Sequence, residues 1–178
     1  MEKDEVNKRK KSMLHALSVI PKKILLLHGR ENVTEFVLHD LSHEGCFNLK
    51  KAAYFVNNPD FNCLKGVAGI ATKEVPQGLW QNIWEQNEMF STYMKNSPFN
   101  RKVRNFGQCS LNHTDVPNEE IIQNLSKKLG IDNPSYYSLD MKHGNHGLFI
   151  FEKNNYKDSL ADDHISDGVS LLGFCPIF

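Results

Sequence analysis

Cysteine and arginine are both scarce in this chain of 178 residues. Cys46, Cys63, Cys109 and Cys175 lie far apart with no CxxC spacing, which indicates neither a zinc ribbon nor a disulfide framework. Arginine occurs only at Arg9, Arg30, Arg101 and Arg104, and charge of either sign is in no excess: 21 Lys plus Arg face 21 Asp plus Glu. That balance argues against a protein dedicated to wrapping a polyanion. Long apolar runs are missing as well. The longest aliphatic one, Ile24 to Leu27, is far below the roughly 20 residues of a membrane helix. The first residues are charged where a secretory signal would be apolar, so a cytoplasmic location without membrane association is expected. Neither GxxxxGK[ST] nor GxGxxG occurs, which removes the usual phosphate loops, and without GxSxG there is no nucleophile elbow.

What is present suits a single α+β domain over residues 1–178. Acids at Glu2, Asp4 and Glu5 precede bases at Lys8 to Lys11, as a helix dipole favours, giving a charged N-terminal helix over about residues 1–19. Pro21 is expected to stop it, leaving 22–28 as a buried strand. Asn32 with Glu35 makes a capping pair for a helix over 33–44. Two apolar runs, 52–56 and 67–71, flank a turn of Asn and Pro and read as strands. Aromatics at helical spacing predict a long helix over 78–95, and acids, bases and Gly130 frame another over 117–129. Strands are expected at 103–111, at 136–141 and 148–151 around a glycine-containing hairpin loop, and at 169–177. Strands and helices interleave without strict alternation, so the expectation is a mixed sheet of short strands packed with about four helices.

The most pointed cluster is His39-Asp40-Leu41-Ser42-His43. Two histidines at i and i+4 share a helix face and can reach one divalent metal such as Zn, while the acid between them stands where a zincin carries its general base. Here the acid is Asp, one methylene shorter than the Glu of that pattern. On a helical wheel Asp40 and Glu44 fall within the apolar arc, and acids so placed near a helix C-terminus demand a cation, whether a metal, a protonated histidine or a nearby Lys or Arg. His39 and His43 are therefore the candidate metal ligands, and Asp40 and Glu44 the candidate catalytic acids. No third ligand is obvious; Glu85, Glu88, His113 and His146 qualify by type alone.

A second stretch concentrates charge: Arg101, Lys102 and Arg104 run into Phe106, bases that could grip phosphates beside a ring that could stack on a nucleobase. Trp80, Trp84, Phe90, Tyr93 and Met94 form an aromatic stripe that suits either a core or a homodimer interface. No catalytic motif is complete. The leading expectation is a protein that acts by binding a partner as yet unknown; a metal-dependent hydrolase built on His39 and His43 comes second and a nucleic-acid-binding module third.

Overall fold

A computed structural model describes residues 2–27, 29–58, 60, 63–79, 81–109, 118–156 and 159–177. The first helix, α1 (Glu2–Leu26), continues through Pro21. Met13, Ile20, Ile24 and Leu27 fall on one side of this segment and are buried, whereas Leu25 and Leu26 are 74% and 82% exposed. The run expected to be a strand buried on both faces is thus the one-sided end of a helix, its register set by the i, i+4, i+7 pattern begun before the proline. Helix α2 (Val33–Ser42) follows, and its side chains are buried on nearly every side.

The α+β class expected from the sequence is the one observed. Five strands, β1 (Leu49–Asn58), β2 (Cys63–Ala71), β3 (Gly107–Cys109), β4 (Ser135–Asp140) and β5 (His146–Lys153), form one sheet in the order β3-β2-β1-β5-β4. All four pairings are antiparallel where a mixed sheet was expected. Direct connections join β1 to β2 and β4 to β5, which fixes those two pairings as antiparallel hairpins. Central β1 carries Ala52, Tyr54 and Val56 on one face and Ala53 and Phe55 on the other, and all five are buried. An antiparallel sheet covered on both sides explains the unbroken apolar run at this strand.

One face packs on α1, α2 and Phe90 and Met94 of α3 (Asn87–Asn96). The other packs on Phe99 and Val103 of α4 (Pro98–Arg104) and on Ile122, Leu125 and Leu129 of α5 (Glu119–Leu129). Among the described residues there are six α-helices, against the four or so expected; α4 and α6 (Ile165–Ser170) end inside the stretches expected as strands from residues 103 and 169. The aromatic helix expected over 78–95 is interrupted too: a 3-10 turn and a bend precede α3, which begins only at Asn87.

Helix α4 has a specific task. Strand β3 pairs only with residues Cys63 to Lys65 of β2, so the remainder of β2 is an open sheet edge. Helix α4 lies against that edge, with Ser97 Oγ capping it by accepting from Asn100 N at 3.2 Å. Close approach requires glycine in β2: a Cβ at Gly66 would lie 2.7 Å from the Val103 carbonyl carbon, and one at Gly69 would lie 2.5 Å from a Val103 methyl. The backbone amide of Gly69 donates to Asn100 Oδ1 at 2.9 Å, so the edge is satisfied by a side chain in place of a further strand.

Candidate functional site

Helix α2 carries a polar group at each end. Near its C-terminus, Asp40 has the cation that the sequence said it must have, and the cation is lysine. Lys23 Nζ, from α1, donates to Asp40 Oδ2 at 2.8 Å, Trp84 Nε1 donates to the same oxygen at 2.8 Å, and His39 Nδ1 lies 3.3 Å from Oδ1. Lys23 also stands over the Trp84 ring, 5.2 Å from its centroid. Burial pushes the Asp40 carboxyl up, but the bonds to His39 and Lys23 and the Lys23 charge outweigh it, so its pKa falls below the ordinary 3.8. Burial in turn holds His39 below its ordinary 6.5, against the pull of Asp40.

The sequence-derived metal set is therefore only partly assembled. The rings of His39 and His43 are 6.3 Å apart between centroids, and both line a small cleft of about 310 Å³ with His15 and Cys46. His43 Nδ1 accepts from Gly45 N at 3.1 Å. Among the described residues, no group of three or more His, Cys, Asp or Glu side chains is placed to hold a metal ion. Helix α2 ends at Ser42, two residues short of expectation, so Glu44 sits in an exposed turn, away from the apolar arc. Of the third-ligand candidates, His146 pairs with Asp140 in the β4–β5 hairpin at 2.9 Å, Glu85 and Glu88 are exposed, and His113 lies outside the described residues.

The basic stretch is dispersed as well. Residues 103 and 104 complete a helix, not the start of a strand, and α4 turns Arg101 and Lys102 to solvent. Arg104 points the other way, its Nη1 3.2 Å from Glu35 Oε1. Phe106 packs edge-on against Phe55 at 5.7 Å between ring centroids, and Lys128 Nζ covers it at 5.4 Å. Its ring is engaged on both counts, which removes the stacking surface that the sequence suggested. From the aromatic stripe, Phe90 and Met94 are core, with Phe90 4.6 Å from the Phe36 ring; Trp80 lies outside the described residues.

The other end of α2 holds the group that sequence reasoning misassigned. Asn32 and Glu35 have the spacing of a capping pair, yet Asn32 makes no side-chain cap. Its Nδ2 instead donates to Ser91 Oγ, on α3, at 2.7 Å. Glu35 turns away from its own helix toward α4, where its Oε1 accepts from Asn100 Nδ2 at 2.7 Å as well as from Arg104. Asn100 is fully buried and also donates to Met94 O at 2.9 Å, so one amide fastens α2, α3 and the β2 edge together around this acid.

Glu35 is 2% exposed, and its second oxygen, Oε2, is buried without a hydrogen-bond partner. Burial drives its pKa above the ordinary 4.5, with Asn100, Arg104 and Asn32 drawing it back only in part. It lines a cleft of about 520 Å³ between the start of α2 and α3, together with Arg30, Ser91, Thr92, Lys95 and Arg104. A desolvated acid of perturbed pKa at a cleft lined by polar groups is the usual mark of a binding or catalytic position. The sequence did contain one signal for it: an acid three residues into a helix, followed at once by Phe36-Val37-Leu38, whose surroundings are too apolar for an ordinary surface cap.

No family model, curated protein or solved structure matches the chain.

Proposed function

We propose that this protein acts by binding a small polar ligand in the cleft between α2 and α3, with Glu35 and Arg104 as the principal contacts. One observation carries the proposal: a nearly inaccessible carboxyl group with one oxygen left unbonded beside a half-exposed arginine. Leaving a buried polar oxygen unsatisfied costs about 1–3 kcal/mol, and a ligand that bonds to it recovers that cost. The groups in hydrogen-bonding reach of Glu35 are an amide and a guanidinium. The amide orients and the guanidinium also neutralises; neither is a nucleophile or a general base, which favours binding over turnover.

The metal-hydrolase reading has less support because Lys23 and Trp84 already hold the Asp40 oxygen that would act as base. The nucleic-acid reading has less because Arg104 is paired with Glu35 and the Phe106 ring is covered by Phe55 and Lys128. To test the binding reading, a panel of polar metabolites (amino acids, dicarboxylates, sugars, polyamines, nucleotides) is screened by thermal shift against the wild type and Glu35→Gln. A ligand at about 100 times its Kd stabilises by about 2.7 kcal/mol, and the expected result is a rise in Tm for the wild type that Glu35→Gln lacks. If no compound discriminates between the two proteins, the proposal falls.

A further inference from the structure

Resting on that reading, we infer that the cleft takes a free α-amino acid, its ammonium group on Glu35 Oε2 and its carboxylate on the Arg104 guanidinium. Three features of the cleft point to a zwitterion with closely spaced charges. Glu35 Oε2 needs a donor and has none. Arg104 supplies one bond to Glu35 through Nη1, which leaves most of the five N–H groups of a guanidinium for an acceptor, and its side chain is 47% exposed. Charge around the cleft is also matched, with Arg30, Lys95 and Arg104 against Glu31, Glu35 and Glu88, so an electrically neutral ligand carrying both signs leaves the balance undisturbed.

Spacing narrows the class. Glu35 Oε1 and Arg104 Nη1 are 3.2 Å apart and both residues line the cleft, so the carboxyl group and the guanidinium stand side by side at its wall. Charge-assisted hydrogen bonds of about 2.8 Å to each place the ligand's nitrogen and its carboxylate next to one another. One carbon between them meets that requirement, whereas the three-carbon spacer of γ-aminobutyrate holds the two groups too far apart to reach both partners without folding back. Arg104, with its planar fork, suits the carboxylate better than the point charge of Lys95 at the rim.

The test is isothermal titration of the full chain with glycine, L-alanine, L-serine, L-glutamate and L-lysine, and with acetate, methylamine and γ-aminobutyrate as controls. The expected result is saturable binding of at least one α-amino acid, and affinity at least about tenfold weaker for each control. Glu35→Gln and Arg104→Met should each weaken the amino acid by about tenfold or more, with circular dichroism confirming that both fold; Arg104 is half exposed, so its variant keeps the reading testable if Glu35→Gln does not fold. Absence of saturable binding by any α-amino acid at about 10 mM, or equal binding of γ-aminobutyrate, overturns the inference. Should another polar compound then bind in a Glu35-dependent manner, the ligand class is wrong and the binding reading stands; if none does, both fail.

Discussion

Glu35 and Asp40 are acids on one helix, and their surroundings move their proton affinities in opposite directions. For Glu35 burial dominates and the pKa rises above 4.5. The folded state then holds its proton more tightly than the unfolded chain, so stability is greatest below pH 4.5 and declines as pH climbs through the raised folded value. Glu35→Gln has no charge to bury, so its stability relative to wild type should improve with rising pH across that window; urea denaturation at successive pH values reads this directly, and parallel profiles would contradict it. For Asp40 burial acts the same way but loses to His39 and Lys23, and the pKa lies below 3.8. Its contribution is present above pH 3.8 and is lost as pH falls through the lowered folded value. Asp40→Ala strands Trp84 Nε1 and the Lys23 ammonium and should cost about 1–3 kcal/mol at neutral pH, a deficit that narrows below pH 3.8. A deficit independent of pH would mean that the ion pair contributes little.

At the scale of elements, contact between α4 and the β2 edge depends on two glycines to different degrees. A Cβ at Gly66 meets backbone, the Val103 carbonyl, and one at Gly69 meets side chains of Val103 and Phe99. Gly66→Ala should therefore cost about 3 kcal/mol or more, since the helix itself must move, and Gly69→Ala nearer 1–2 kcal/mol; chemical denaturation of the two variants orders them. A reversed order would show that α4 yields more readily than a side chain does. The same elements explain what could be read in advance. Both hairpins and α5 are legible because each is framed by local chemistry: Pro59-Asp60 in the sequence between β1 and β2, Gly144 between β4 and β5, and Gly130 in a left-handed conformation at φ 67° closing α5. Misreadings arose where tertiary contacts overruled a local signal. Pro21 predicts a stop, yet Ile20 and Ile24 are buried in register across it. Val169 looked like the start of a strand, but the lack of a side chain at Gly168, where a Cβ would lie 2.5 Å from Phe47 Cζ, lets α6 dock on the core. The site divides likewise: the demand of Asp40 for a cation was visible from the wheel, while the identity of that cation and the diversion of Glu35 toward Asn100 depend on α1 and α4, elements distant in sequence.

For the whole molecule, the placement of Lys23 at Asp40 implies that folding stability is independent of divalent metal. Exhaustive dialysis against EDTA should leave Tm unchanged, and zinc content should stay well below one per chain; a fall of several degrees, reversed by added zinc, would return His39 and His43 to the role of ligands. The sheet order carries a different consequence. Central β1 is completed on one side by its immediate successor β2, but on the other side Tyr54 must wait for Phe149. A chain ending at residue 140 should accordingly show no cooperative thermal transition, and a sharp transition there would mean that the β1–β2 half stands alone. During synthesis β5 emerges only after β2, β3 and β4, so until then Tyr54 and Phe55 have an open neighbour position. Folding yield should then depend on timing as well as on final stability: a pause in elongation placed between β2 and β5 should increase the fraction lost to aggregation, and an unchanged soluble fraction would contradict this.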